Sequence, residues 1–232
     1  MDYIVTGAGK GIGFETTKML CKVQGNRVLA ISRDIKQLHY LASNNNNLVS
    51  ELFPLSFDLV KGDFNSVLIP LLKELKFGID GLFNNAAVLV NKPLSQYLDE
   101  DFRNVFSTNV EAPFRLIRCL LPFLNKGSHI LNAGSMGGVQ GSVKFPGLAL
   151  YSSSKGALAI LTECLAEELK SRKIYVNCLA FGAVQTEMLS EAFPGYNAPV
   201  TANDMGKYVA DFLMNGHRLY NGKILSVSLS TP

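Results

Sequence analysis

Short apolar runs alternate with amphipathic stretches along the whole chain. The strand-like runs are YIVT (3–6), RVLAI (27–31), LFPLSF (52–57), GLFN (81–84), HILNA (129–133), IYVNCLA (174–180) and KILSVSL (223–229). Helical patterns separate them near residues 12–23, 35–43, 63–76, 98–124, 152–171 and 202–214. Strands that alternate with helices of this length are typical of βαβ units, in which helices cover both faces of a parallel sheet. The pattern therefore predicts an α/β fold with a doubly wound, seven-stranded, mostly parallel sheet.

No internal repeat and no composition change divides the chain, so we expect one domain over residues 1–232. Thr201 and Asp204 have the spacing of a capping box and predict the start of the last helix. The tract SNNNN (43–47) predicts a turn after a helix.

The composition is that of a globular protein, with 47% hydrophobic and 18% charged residues. A net charge of +3 from scattered basic residues argues against nucleic acid as a partner. The four cysteines and three histidines are far apart in sequence, which favours a reduced protein without a metal site. No apolar run approaches the ~18 residues of a membrane-spanning helix, and the first strand leaves no room for a secretory signal. We therefore expect a cytoplasmic protein without a membrane partner.

The segment TGAGKGIG (6–13) follows the first strand and opens the first helix. Gly7 permits a tight turn there, and Gly13 lets the helix pack closely on the sheet. The start of a helix also favours a phosphate group. This position, at the beginning of a βαβ chain, predicts a nucleotide site rather than a purely structural turn.

The segment YSSSK (151–155) places Tyr151 four positions before Lys155, so both residues lie on one face of the predicted helix. A phenol beside a cation ionises more easily, and a phenol whose pKa lies near the working pH can exchange a proton with a substrate. Taken alone, this spacing also arises by chance.

Several motifs occur in a common order: the glycine loop with its T-G-x-x-x-G-x-G spacing, NNAA (84–87), TN (108–109), a serine after the fifth strand, and YSSSK. With them, the chain resembles the short-chain dehydrogenase/reductase family from residue 3 to about residue 186. The phrases TGAGKGIG, SR and NNAAV are most similar to its carbonyl- and xylulose-reductase branches. The resemblance implies a Rossmann domain, with a cofactor half of about 1–130 and a catalytic and substrate half of about 131–232.

The resemblance also implies four catalytic residues. Tyr151 would protonate the carbonyl oxygen, and Lys155 would lower the pKa of Tyr151 and bind the nicotinamide ribose. Ser135, in NAGSMGG (132–138), would hold the substrate oxygen. Asn109 would kink its helix and hold a water that links Lys155 to solvent. The 16 residues from Ser135 to Tyr151 suggest a roomy loop over the substrate.

The implied cofactor-binding residues are Gly7, Gly9, Lys10, Gly11, Ile12, Gly13, Ser32, Arg33, Asp58, Leu59, Asn85, Ala86, Tyr151, Lys155, Val184 and Thr186. Ser32 stands where NAD-preferring relatives place an acid, and it leaves room for a 2′-phosphate. Arg33 and Lys10 could converge on that phosphate, whereas Asp34 and Gln37 have the spacing of a capping box. NADP(H) is the predicted cofactor.

The expected substrate is a small ketone or aldehyde, and the chain is expected to need no metal. The predicted pocket walls are Met136, Val139, Phe145, Leu148, Met188, Leu189, Phe193 and Tyr196. This set is largely apolar, which argues against a small anionic substrate. The chain departs from the family at Ala87, where glycine is usual, and at Phe181, where proline is usual. It also lacks the glycine pair that many members carry after the last strand, which puts their usual tetramer contact in question.

Two alternatives stay open. A 3-oxoacyl-acyl-carrier-protein reductase shares every motif, and Arg115, Arg118 and Arg172 could form a basic surface for an acidic carrier. A non-catalytic NADP(H)-sensing regulator would use the same fold, although it has no need of the tyrosine acid. Surplus apolar positions on helices 98–124 and 152–171 predict a homodimer or homotetramer. These positions are Phe106, Phe114, Leu116, Leu120, Leu161 and Leu165.

Overall fold

The computed structural model describes residues 1–44 and 49–229. The described strands are β1 (Asp2–Thr6), β2 (Arg27–Ser32), β3 (Glu51–Ser56), β4 (Ile79–Asn84), β5 (Leu124–Ser135), β6 (Tyr175–Phe181), β7 (Val184–Gln185), β8 (Val200–Thr201) and β9 (Ile224–Val227). The described helices are α1 (Gly11–Leu20), α2 (Lys36–Asn44), α3 (Leu68–Glu74), α4 (Asp99–Phe106), α5 (Ala112–Leu120), α6 (Ala149–Glu168), α7 (Glu187–Ala192) and α8 (Ala202–Asn215). The predicted turn at 43–47 lies mostly outside the described residues.

Seven strands form one sheet in the order β3-β2-β1-β4-β5-β6-β9, and every neighbouring pair within it is parallel. The predicted doubly wound sheet is confirmed. Successive side chains of a strand point to opposite faces, so Ile4 and Val5 of β1 belong to different halves of the core. Helices α3, α5 and α6 cover the Ile4 face, and α1, α2 and α8 cover the Val5 face. Strand order reverses between β1 and β4, which is where ligands bind in such sheets.

The predicted helix over residues 98–124 is wrong as a single element. It is divided into α4, a wider π-helical turn at Ser107–Glu111, and α5. The predicted start of the last helix is confirmed, because the Thr201 hydroxyl accepts from Asp204 N–H. The short elements β7, α7 and β8 were not predicted, since segments of two to six residues carry too little periodicity to recognise.

The predicted capping box of Asp34 and Gln37 at the start of α2 is wrong, because Asp34 is not the N-cap. The first helical bond runs from His39 N–H to Ile35 O, so the helix begins one residue too late for Asp34 to be its cap. The Asp34 carboxylate instead accepts from Lys36 N–H at 3.0 Å. Asp34 thus binds the first residue of α2 without capping the helix.

Within the described residues, no helix is both long and apolar enough to cross a lipid bilayer.

Candidate active site

A cleft of about 250 Å³ opens beside the carboxyl ends of β1 and β4. Most of the predicted cofactor residues line it, namely Gly7, Lys10, Gly11, Ile12, Ser32, Arg33, Asp58, Leu59, Asn85, Ala86, Tyr151, Lys155 and Thr186. Gly9, Gly13 and Val184 are not part of its wall. Residues that the sequence argument missed also line the cleft, including Val60, Val88, Thr108 and Glu187. The topology thus brings segments from residue 7 to residue 187 to one place.

The glycine loop packs directly against the segment after β4. Gly7 has a φ of +62°, and a Cβ there would lie 2.8 Å from the Ala86 Cα. A Cβ on Gly13 would lie 2.4 Å from Gly7 O, so Gly13 lets α1 pack against the loop itself. Lys10 precedes α1 and provides no side-chain cap. Because the first N–H groups of a helix lack partners within it, the start of α1 can bind an anion.

Thr6 joins these two segments, a role that the sequence argument missed. Its hydroxyl accepts from Asn85 N–H at 3.0 Å and from Ala86 N–H at 3.1 Å. The Asn85 amide donates in return to Thr6 O and Gly7 O, each at 3.1 Å. A threonine directly before the glycine motif was the available signal. These bonds hold the cleft wall in a fixed shape.

Tyr151 and Lys155 both lie on α6 and both line the cleft, as their spacing predicts. Lys155 is 3% exposed, and its ammonium donates to Ala133 O at 2.7 Å. Burial lowers the pKa of Lys155 to about 8, since water no longer stabilises its charge. The ammonium lies 5.7 Å from the centre of the Tyr151 ring.

The expected lowering of the Tyr151 pKa is not found. Burial raises the pKa of Tyr151 to about 12, and a hydrogen bond with Ser135 opposes this rise only in part. The reason is that loss of water around the phenol is the largest effect. Tyr151 therefore keeps its proton at neutral pH.

Ser135 is the last residue of β5 and lies beside Tyr151. Its hydroxyl accepts from Gly137 N–H at 3.2 Å and caps the short turn at Met136–Gly138. One side chain thus caps the turn and also lies beside Tyr151. Ser135 can therefore have a structural role and the predicted catalytic role together.

Asn109 lies in the π-helical turn and is fully buried. Its amide oxygen accepts from Val88 N–H at 2.8 Å, and its amide nitrogen donates to Val88 O at 2.9 Å. The same nitrogen donates to the Ser154 hydroxyl, which donates to Tyr151 O. Asn109 thereby connects the cleft wall at Val88 to the helix that carries Tyr151.

The predicted substrate walls are divided between two places. Met188 lines the cleft, and Phe145 meets Phe193 edge-on with ring centres 6.3 Å apart. Val139, Phe145 and Leu148 line a second cavity beside the exposed Ile160 of α6. Met136 is buried, whereas Tyr196 is 48% exposed.

The expectation of one pocket is therefore wrong for Val139, Phe145 and Leu148. Gly138 packs on the α6 backbone so closely that a Cβ there would lie 2.6 Å from the Lys155 carbonyl carbon. The chain crosses α6 at this point, and the residues that follow face the second cavity.

The histidines that are dispersed in sequence partly come together in the fold. The rings of His129 and His217 lie 5.7 Å apart. His129 Nδ1 bonds Leu213 O and Nε2 bonds the Asn177 amide nitrogen, so both ring nitrogens are engaged. Across the described ranges, no three histidine, cysteine or acidic side chains are grouped to hold a metal ion.

The sequence model of the short chain dehydrogenase family matches residues 3–197. The chain therefore belongs to this family of oxidoreductases.

Its relatives include carbonyl reductase (NADPH) 2 of Sus scrofa, which is 35% identical over 192 residues, covering 80% of this chain and 72% of the relative. L-xylulose reductase of Caenorhabditis elegans is 32% identical over 189 residues, covering 80% and 72%. The 3-oxoacyl-acyl-carrier-protein reductase of Escherichia coli is 32% identical over 193 residues, covering 80% and 74%. The predicted membership and the similarity to carbonyl and xylulose reductases are confirmed.

A solved structure shares the fold closely. A short chain dehydrogenase of Burkholderia cenocepacia in complex with NADP superposes with a TM-score of 0.85 at 24% identity, covering 97% of this chain and 95% of the other.

Proposed function

We propose that this protein is a carbonyl reductase that converts a ketone or aldehyde to an alcohol with NADPH. The observation that carries the proposal is that Tyr151 and Lys155 lie on one helix and line the cleft, with Ser135 hydrogen-bonded to Tyr151. Membership of an oxidoreductase family and a carbonyl reductase relative support it.

The residues of the cleft fit a dinucleotide. The uncapped start of α1 suits a pyrophosphate, and Gly7 and Gly11 keep the loop in front of it narrow. Lys10 and Arg33 line the same cleft, while Asp34 is directed toward α2 and stays out of the wall. Two cations at the expected ribose end favour a 2′-phosphate. The Asp58 carboxylate accepts from Val60 N–H and Lys61 N–H and so stabilises a turn. This turn would shape the adenine end of the cleft.

In the proposed mechanism, the nicotinamide supplies a hydride to the carbonyl carbon when it is bound. The Ser135 and Tyr151 hydroxyls hold the carbonyl oxygen, and Tyr151 then donates its proton to the oxygen as negative charge develops there. A pKa of about 12 keeps Tyr151 protonated at pH 7. The phenol is still a stronger acid than an alcohol, because the phenolate spreads its negative charge over the ring. Proton donation is therefore favourable once an alkoxide forms.

Lys155 has two proposed roles. Its ammonium would bind the nicotinamide ribose and would favour the phenolate that Tyr151 becomes after donation. Asn109 is proposed as a positioning residue, because it fixes Val88 on one side of the cleft and, through Ser154, the backbone of Tyr151 on the other. Such bonds keep the donor aligned through the reaction.

The proposed substrate carries an apolar group. Met188 lines the cleft, and the paired rings of Phe145 and Phe193 lie between the loop after β5 and the end of α7. We further propose that the chain acts as one cytoplasmic domain that assembles as a homodimer or homotetramer.

A 3-oxoacyl-acyl-carrier-protein reductase is the second candidate, favoured by the Escherichia coli relative. The basic surface expected for a carrier protein is reduced in the structure. Arg115 donates to Val60 O and packs over the Phe64 ring, so it is engaged within the protein. Arg118 and Arg172 are exposed, although Arg172 also bonds Leu121 O.

A cofactor oxidation assay tests the proposal. Purified protein is given NADPH or NADH with a panel of aromatic ketones, aldehydes, sugar ketoses and a 3-oxoacyl thioester. Turnover of small apolar carbonyls with NADPH is the expected result. Turnover of the thioester alone would favour the carrier-protein enzyme, and cofactor binding without any turnover would favour the sensing regulator.

A further inference from the structure

An ion pair joins the glycine loop to the start of α7. Lys10 Nζ lies 2.7 Å from the Glu187 carboxylate, and both residues line the cleft. Gly11 also lies near Thr186, because a Cβ added to Gly11 would lie 3.4 Å from the Thr186 side chain. Thr186 caps α7 by accepting from Leu189 N–H. The two segments that border this part of the cleft are thus held together by residues 10 and 187.

Lys10 lies between groups of opposite charge. The hydrogen bond with Glu187 raises the pKa of Lys10, and the charge of Glu191 one turn later acts in the same direction. Arg33 acts in the opposite direction, because two cations repel each other. The lysine is therefore drawn toward α7 and away from the end of the cleft where Arg33 lies.

The two ends of α7 are held by different interactions. At its C-terminal end, the Asn91 amide donates to Ala192 O at 2.8 Å, and Phe193 packs edge-on against Phe145. At its N-terminal end, the link to the glycine loop depends on the exposed pair, whose side chains are 56% and 62% accessible. Exposed pairs contribute little to stability, so a stronger anion can replace this carboxylate.

We propose that Glu187 competes with the 2′-phosphate of the cofactor for Lys10 and is therefore a specificity-determining residue of this chain. The inference rests on the proposed use of the cleft for a dinucleotide. A phosphate monoester carries a charge of about −1.5 to −2 at pH 7. Bound between Lys10 and Arg33, it attracts both cations, which otherwise repel each other. Lys10 then leaves Glu187, and the start of α7 is released. NADH has no such group and leaves the pair intact.

The proposal is tested with fragments that lack nicotinamide, so that activity is not needed as a readout. Titration calorimetry measures the affinities for 2′,5′-ADP and for 5′-ADP, and their ratio reports recognition of the 2′-phosphate. Glu187→Gln should raise this ratio by about two- to five-fold, the gain expected when an exposed ion pair no longer competes. Glu168→Gln, the same change of charge on the exposed end of α6, should leave the ratio unchanged. Lys10→Ala combined with Glu187→Gln should abolish the gain.

Hydrogen exchange of the α7 amides supplies an independent readout. In the wild type, 2′,5′-ADP should speed exchange at residues 187–192 by no more than about five-fold, the limit for loss of an exposed ion pair, and 5′-ADP should not. In Glu187→Gln, exchange should already be faster to the same extent before either fragment is added.

The outcomes separate this inference from the proposed cofactor. A wild-type ratio near one argues against NADPH preference, whereas the change of the ratio in Glu187→Gln decides the role of Glu187. An unchanged or lowered ratio in Glu187→Gln would overturn the competition, whichever cofactor the wild type prefers.

Discussion

Asn109 binds both main-chain polar groups of Val88, accepting from its N–H at 2.8 Å and donating to its C=O at 2.9 Å. Main-chain N–H and C=O groups are usually paired within a helix or a sheet. Val88 lies in a loop, and a single amide side chain pairs both of its groups instead. The cleft wall after β4 therefore depends on a residue 21 positions further along the chain.

Asn109→Ala should destabilise the protein because it leaves the Val88 groups unpaired in a partly buried position. We expect the free energy of unfolding, measured in urea, to fall by about 1–3 kcal/mol. Ser154→Ala removes the hydrogen bond from Asn109 to Ser154 but keeps both bonds to Val88. It should therefore lower the free energy of unfolding by less. If Asn109→Ala kept full stability and lost turnover alone, its role would lie in proton supply and not in positioning.

Tyr151→Phe should reduce kcat by at least the ~10²-fold typical of lost general acid catalysis. The ring stays in place, so the dissociation constant for NADPH, measured by fluorescence titration, should change little. Tyr208→Phe makes the same chemical change on the exposed side of α8 and should leave kcat unaltered. Near-normal turnover of the Tyr151 variant would remove this residue from its proposed role.

The pKa of Lys155 predicts a loss of activity at alkaline pH. The proposed role needs the ammonium, which is present below a pKa of about 8 and is lost as the pH rises through that value. The plot of kcat/KM against pH should therefore fall above about pH 8. The pKa of Tyr151 is about 12, too high to account for that fall. Lys155→Arg, which stays charged throughout this range, should show lower activity without the decline.

Lys155→Met provides the complementary test, since it removes charge and hydrogen-bond donor together. Both NADPH binding and turnover should be lost. Recovery of the rate at saturating NADPH would show that the charge of Lys155 has no part in the chemical step.

Arg33→Ala should remove most of the preference for NADPH over NADH. A hydrogen bond to a charged group contributes about 1.5–3 kcal/mol, or roughly 10- to 150-fold in affinity. We expect the wild type to favour NADPH by at least about tenfold in kcat/KM on that basis. Arg103→Ala, which removes an exposed arginine of α4, is the matched control. Equal efficiency with both cofactors in the wild type would contradict the prediction.

A partly exposed apolar surface across α4, the π-helical turn, α5 and α6, which we call the apolar seam, predicts self-association. It comprises Phe102, Phe106, Val110, Phe114 and Leu161. Phe102 is 50% exposed and stacks on Phe106 with ring centres 4.4 Å apart, and Phe114 is 41% exposed. From the sequence we expect Leu116, Leu120 and Leu165 on this surface, but all three are buried in the core.

Light scattering at micromolar concentration should show a dimer or larger assembly. Phe102→Glu should shift it to monomer, because burial of the seam would then bury a charge. Leu219→Glu, at an 84% exposed position elsewhere, should not change the assembly. A monomeric wild type would exclude the seam as an interface.

The sequence by itself determined the sheet, the glycine loop and the helix that carries Tyr151 and Lys155. Each of these depends on local spacing: apolar runs for the strands, three glycines for a tight turn, and four positions for one helical turn. Such information lies within a few residues and can be read directly. Even there, element boundaries differ from the prediction, as at the π-helical turn that contains Asn109.

Only the tertiary structure decided the protonation of the site and the partners of its charges. Burial raises the pKa of Tyr151 and lowers that of Lys155. This burial depends on every element packed around α6. The pairing of Lys10 with Glu187 joins the first loop to the start of α7, and no local pattern relates these two residues. The chain crosses α6 at Gly138, and this crossing separates residues that the sequence predicts in a single substrate pocket. Contacts between residues far apart in sequence arise only when the chain closes on itself, and here they set the charges and the shape of the site.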